Sequence, residues 1–406
     1  MLPALRSLDL MPSPVPDRPG LLMRDPLRFS DATLIVPPPL VPCLALFDGA
    51  HSELDLRECL VRITGDLEVG GLLHHLIEAL SQAGFLQDER FEQCKKQAEQ
   101  SFAEAPLRAA SHAGSAYPAN AADLQNTLAG YLDGAALKAC QADQPPVTAI
   151  AAPHVSPFGG VEAYRAAYSA LSPADADRTF VILGVSHYGQ PGRIGLTNKS
   201  FSTPFGEART DTAIVQRLAS QAGDGALRED YCHAVEHSIE FQVVFLQHLF
   251  GPEIRMVPIL CGSFHHSLER GQAPEADDRV RRALDALGEL AAREGSRLLW
   301  VLGVDMAHMG RRYGDSRSAR AGQDEMLSVE LRDRDRIGRI EQGDAGGFWE
   351  RVAEHRQDDL KWCGSAPIYA FLRAVPGARG QLLHYQQWNI DDSSVVSFAG
   401  IRFHSA

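Results

Sequence analysis

Three apolar, β-branched runs in this chain each stop at a histidine-bearing turn. VTAIAAP runs into His154, TFVILGVS into His187, and RLLWVLGVD into the string that carries His308. Each run reads as a buried strand that ends at a polar or small-residue turn. In open α/β sheets, ligands collect outside the carboxyl ends of the strands. Imidazoles at several strand ends are therefore expected to converge on one pocket. Two further strings, SHAGSAYP (111–118) and HAVEHSIEFQ (233–242), add His112, His233 and His237. Neutral imidazole is the commonest protein metal ligand and a good acid–base group near pH 7. The expectation is a metal or proton-transfer site.

The chain has 406 residues, too many for one ordinary core, so two domains are expected. Residues 1–24 are Pro-rich, lack a signal-peptide core and read as a flexible leader. Residues 25–105 read as a small helical, winged-helix-like domain with its linker. In it SELDLRECLVRITG begins with Ser52 as the N-cap, and Leu72, Leu73, Leu76, Ile77 and Leu80 share a helical face. A short strand is expected after Gly84, then a charged helical linker. Residues 106–406 read as an α/β domain with a central sheet flanked by helices. Strands are expected at 147–152, 179–184, 254–261, 297–304 and 394–403, and helices at 120–132, 161–171, 211–221, 236–250, 278–294 and 366–374.

A formal charge of −13 argues against a nucleic-acid partner, because phosphate binding needs a basic face. No apolar run approaches the ~20 residues of a membrane span, so no membrane partner and a cytoplasmic location are expected. Seven cysteines, at 43, 59, 94, 140, 232, 261 and 363, are scattered, odd in number and without a CxxC pair. They suggest neither a disulfide framework nor a zinc ribbon. Cys363, in WCGSAP, sits in a small-residue turn that can lie near a site. His248, His265, His266, His355, His384 and His404 carry no motif and read as surface or packing residues.

The strings ASHAGSAYP (110–118), APH (152–154), ILGVSH (182–187), TPFG (203–206), EHSIE (236–240), VPIL (257–260), D-x-x-H (305–308) and DDSSVVSFAG (391–400) occur in order. Together they resemble the Memo family, also labelled AmmeMemoRadiSam system protein B, over roughly residues 108–404. The resemblance implies a fold like that of class III extradiol dioxygenases. It also implies His154 and His187 as metal ligands, with a thiolate near the D-x-x-H string as the third. The position two residues after that aspartate is Ala307 here, and the usual HAGY after the first ligand becomes His154-Val155-Ser156-Pro157. LFDGAHSELDL (46–56) resembles PqqD-like modules, which implies a possible peptide partner for the N-terminal domain.

With Ala307 unable to ligate, the expected third metal ligand is Asp305 or, in competition, His308. A facial site with open positions takes a carboxylate beside two histidines. Glu236 and Glu240 stand at i,i+4, so the EHSIE string is expected as the first turn of a buried helix with both carboxylates on one face. His237 is then a general acid–base, His233 one turn earlier faces the same pocket, and Glu236 braces a histidine. His112 is expected in the pocket too.

These expectations lead to a non-haem, iron(II)-dependent oxidoreductase or dioxygenase-like enzyme acting on a small molecule or a peptide. Zinc or copper is possible. A different class, a metal-free scaffold that holds a peptide in the same cleft, is supported by Ala307. A metal-dependent hydrolase is a third reading, although neither a G-x-S-x-G elbow nor an H-E-x-x-H string supports it.

Overall fold

A computed structural model describes residues 1–133, 145–354 and 358–405. Cys140 and His355 lie outside them. The chain divides into two compact units, Met1–Ala105 and Pro106–Ala406.

In the first unit, strands β1 (Asp9–Pro12), β2 (Leu21–Arg24) and β3 (Thr33–Val36) form an antiparallel sheet in that order. Helices α1 (Glu53–Thr64), α2 (Gly70–Gln82) and α3 (Glu89–Glu104) follow. Ser52 and Asp55 close a capping box at the start of α1, and Gly65, at φ 71°, ends it. Leu56, Leu60, Leu73, Leu76 and Leu80 meet in the core around Phe85.

The flexible leader is not what the structure shows. Leu2 and Met23 are buried, and Arg6 pairs with Asp25 inside the unit. Pro14, Pro16 and Pro19 sit in the connection between β1 and β2, where no ladder N–H is needed. The strand expected after Gly84 is reduced to one antiparallel bridge, Leu86 to Leu5. The sheet is built instead from residues on the amino side of the helices.

In the second unit, α4 (Ala121–Tyr131) precedes β4 (Val147–Ala152), α5 (Val161–Tyr168) and β5 (Thr179–Ser186). Then come α6 (Thr212–Ala222), α7 (Glu240–Phe250), β6 (Arg255–Gly262), α8 (Asp278–Glu294) and β7 (Leu298–Gly303). The chain finishes with α9 (Glu325–Glu341), α10 (Ser365–Ala374) and a hairpin of β8 (Ala378–Asp391) and β9 (Ser394–Ser405). At the centre of the large sheet β4, β7, β5 and β6 lie parallel in that order, and β9 runs antiparallel beside β4. Ala149, Val181, Leu183 and Trp300 face a core shared with α6, α8 and α10. On the other face the rings of Tyr164 and Tyr168 stack on Phe245.

The register puts Ala152, Gly184 and Gly303 side by side. The turns after β4, β5 and β7 therefore open on one edge of the sheet, which is where His154, His187 and Asp305 lie. The two glycines have a specific job. A Cβ on Gly303 would stand 2.2 Å from the Ser238 carbonyl oxygen, and one on Gly184 would stand 2.6 Å from Ser238 Oγ. Only glycine lets the segment before α7 press onto the strand ends.

That segment corrects a second expectation. α7 starts at Glu240, and Glu236 caps a separate short helix, Cys232–Val235, with extended backbone angles. Glu236 and Glu240 do not share a helical face.

Candidate metal centre

His154 and His187 stand on neighbouring turns with ring centroids 5.1 Å apart. His237, one residue before the Ser238 that packs on Gly184 and Gly303, lies 5.2 Å from each of them. One ring nitrogen from each of the three falls within 4.8 Å of the other two. The grouping is chemically suited to a metal because of what the other nitrogens do. Nδ1–H of His154 donates to the Gly303 carbonyl at 2.9 Å, and Nδ1–H of His187 donates to Glu236 at 2.9 Å. Each tautomer is thereby set with the Nε2 lone pair free. Among the described residues the His237 ring nitrogens make no hydrogen bond.

The two glutamates of EHSIE serve different histidines. Glu236 also accepts the His187 backbone N–H at 2.5 Å. Glu240, fully buried, takes the Arg108 guanidinium, the Tyr117 hydroxyl and His112 Nδ1–H, the last at 3.1 Å. Burial alone would raise the Glu240 carboxyl; the Arg108 charge, His112 and Tyr117 outweigh it and hold it below the usual carboxylate range. His112 thus comes within 5.6 Å of His237, ring to ring. Arg108 and Tyr117 complete this network; Tyr117 belongs to the ASHAGSAYP string and Arg108 stands two residues before it.

Burial acts on the whole cluster. It lowers His154 despite the opposing Asp305 charge, and it lowers His237 strongly, with the neighbouring histidines pushing the same way. In His187 burial also acts downward, but the Glu236 carboxylate overrides it and the net shift is upward.

Asp305 Oδ1 accepts the His154 backbone N–H at 3.0 Å, and its Oδ2 lies 3.4 Å from His154 Nε2. It is not an N-cap, and its Oδ2 faces the His154 nitrogen that is left free for a metal. His308 lies outside the convergent nitrogen group. Its Nδ1–H points at the Met306 and Lys361 carbonyls, 2.9 and 3.1 Å away, and burial lowers it to about 4. His233 does not face the pocket: its Nε2–H donates to the Gly195 carbonyl at 3.0 Å and its ring edges onto Phe201. The pocket-facing expectation for His233 is corrected accordingly.

The thiol expected near residue 307 comes from another turn. Cys363 Sγ lies 3.4 Å from His154 Nε2 and 3.6 Å from the Asp305 carbonyl oxygen. Burial and the Asp305 charge push this thiol well up in the absence of a cation; a coordinated cation reverses that balance. Trp362, its neighbour, donates Nε1–H to buried Asp333 at 2.7 Å, which fixes the turn. The small residues of WCGSAP are the only sequence signal for this arrangement.

Comparisons with known proteins cover the residues of this unit. A family model described as Memo-like protein matches residues 108–402. A MEMO1 family protein of Aquifex aeolicus (strain VF5) is 26% identical over 408 aligned positions, spanning 100% of both chains. Its likeness therefore includes the N-terminal unit. A MEMO1 family protein of Thermococcus kodakarensis is 31% identical over 268 positions, 63% of this chain and 87% of the relative. Among solved structures, an uncharacterized Escherichia coli K12 protein covers 63% of this chain and 99% of its own, at 15% identity and a TM-score of 0.41. No helix of the described residues is long and apolar enough to cross a membrane.

Proposed function

The chain belongs to the Memo family, and from that premise we propose that its α/β unit is a non-haem, metal-dependent enzyme of oxidoreductase or dioxygenase-like type. Iron(II) is the metal proposed; zinc and copper are the rivals that an imidazole and thiolate donor set also admits. The observation that carries the reading is the convergence of His154, His187 and His237 within 4.8 Å, with the Cys363 thiol 3.4 Å from His154. The donors fit a metal because two of the imidazoles have their second nitrogens committed to backbone or carboxylate. His154, His187 and Cys363 would hold the ion, with the Asp305 carboxylate, whose Oδ2 also lies 3.4 Å from His154 Nε2, as a further donor. An extradiol-type relation of fold is supported by ligands drawn from strand carboxyl ends.

A bound divalent metal supplies a Lewis acid with open positions for substrate. The chain's own residues do the rest. Glu236 orients His187, and Asp305 braces the His154 backbone. His237 faces the ligand pair with an uncommitted ring, so it can take or give a proton at a ring nitrogen. His112, anchored on Glu240, stands behind it as a second proton carrier.

The test is elemental analysis of protein purified without oxygen and reconstituted with iron(II). About one metal per chain is expected in the wild type, and loss of it in the His154→Ala/His187→Ala double variant with unchanged circular dichroism. A metal-free wild type, or full occupancy in the double variant, contradicts the reading.

A further inference from the structure

A cavity of about 430 Å³ opens beside the histidines, within the range of small-molecule sites of about 300–1,000 Å³. His187 and Cys363 line it, and Phe264, Trp349 and Trp362 give it broad aromatic walls. The ring of Phe264 meets Trp349 edge-on at 6.2 Å. Both tryptophans have already spent their polar handles. Trp349 Nε1–H donates to the Gln272 carbonyl at 3.0 Å, and Trp362 Nε1–H to Asp333 at 2.7 Å. What they turn to the cavity is apolar ring surface.

The charged groups of the lining are spent as well. Asp358 pairs with Arg336 at 2.9 Å and also accepts the Trp362 backbone N–H. The Lys361 ammonium pairs with Asp315 at 2.6 Å. Glu269, exposed, faces His266 Nδ1 at 3.5 Å on the solvent side. Among the described residues and with no metal bound, the lining therefore offers an anion no free ammonium or guanidinium; the His265 imidazole, packed against the His266 ring, is its remaining basic group. A phosphate or carboxylate would lose much of its hydration there for little return.

We propose that this cavity binds a neutral ligand with a flat aromatic body, its polar group turned toward His187 and Cys363. The inference deepens the metal-centre reading and rests on it only for what that polar group meets. The aromatic body is held by Trp349, Trp362 and Phe264, and charge selects against its acidic analogues.

The experiment is calorimetric titration of the full-length protein stripped of metal by chelation, with 2-naphthol and with 2-naphthoate, and of the metal-restored protein with 2-naphthol alone. The expected result is one 2-naphthol site per chain and 2-naphthoate weaker by at least about tenfold. Trp349→Leu, which keeps an apolar side chain and loses the flat face, is expected to weaken 2-naphthol by about tenfold, in the range of a lost aromatic pair with its buried area. Leu268→Trp, at a half-buried lining position on the rim of the core, is expected to block the site. The proposal is overturned by 2-naphthoate binding as tightly as 2-naphthol, by no 2-naphthol binding, or by both variants binding like wild type. The two readings fail separately. Binding of 2-naphthol to protein that never takes up metal removes the metal reading alone; stoichiometric metal without 2-naphthol binding removes this inference alone.

Discussion

Glu236 grips His187 twice, through the backbone N–H at 2.5 Å and through Nδ1 at 2.9 Å. The carboxylate is 1% exposed, so its charge acts on the imidazole with little screening. Glu236→Gln keeps the shape and removes the charge. Its metal affinity is expected to fall by about 10–100-fold, the usual cost of losing a ligand's hydrogen-bond partner. Competition against a chelator measures it; unchanged affinity would show that Glu236 plays no part in holding the ligand.

Gly303→Ala tests the close approach of the EHSIE segment. Its Cβ would meet the Ser238 carbonyl oxygen at 2.2 Å. The expected cost is about 1–3 kcal/mol in urea unfolding, as for overpacking elsewhere. A methyl group at Gly288, inside α8, would meet nothing within 4 Å. Gly288→Ala is therefore expected to be neutral or stabilising by up to about 1 kcal/mol. Equal effects of the two changes would contradict the packing account.

What the sequence reveals and what it hides follow from the range of each interaction. The strand ends at His154, His187 and Asp305 are legible because long apolar runs stop there. The EHSIE string misleads because i,i+4 spacing of two glutamates imitates a helix, whereas contact with Gly184 and Gly303 on distant strands holds Glu236 outside α7. Cys363 is legible only as a small-residue turn, because its place beside His154 depends on Asp333 anchoring Trp362 across the fold. Residues 1–24 mislead because prolines in one connecting turn outweigh the apolar positions on either side.

Asp333 gives a pH prediction. It accepts from Trp362, Tyr385 and Ser397, yet burial dominates and raises its carboxyl from 3.8 to about 6. A folded pKa above the unfolded one means that the folded state binds the proton more tightly. The associated stability is fully present below about pH 4 and is lost as pH rises through about 6. At about 1.36 kcal/mol per pKa unit, the loss is on the order of 3 kcal/mol. Denaturant unfolding of wild type and Asp333→Asn from pH 4 to 7.5 should show the wild type losing stability relative to the variant across that window. A pH-independent difference would refute the assignment.

Arg6 and Asp25 form a buried ion pair, with Asp25 also accepting the N–H groups of Leu27, Phe29 and Ser30. The guanidinium lies 3.9 Å from the Phe91 ring centroid. Arg6→Ala strands a buried carboxylate, a change that typically costs about 3–5 kcal/mol. The thermal unfolding temperature should therefore drop, and limited proteolysis should cut first within residues 1–105. Wild-type stability in this variant, or in a chain lacking residues 1–24, would restore the leader that the structure replaces with two strands.

The central claim is that imidazoles from two strand ends and the thiol of Cys363 share one metal. Anaerobic titration with cobalt(II), followed by absorption, addresses all three at once. The account predicts a near-ultraviolet thiolate-to-cobalt band that saturates at about one equivalent, disappears in Cys363→Ser while cobalt still binds, and is absent with the metal in His154→Ala/His187→Ala. Cobalt binding without that band in the wild type, or an unchanged band in Cys363→Ser, would contradict it.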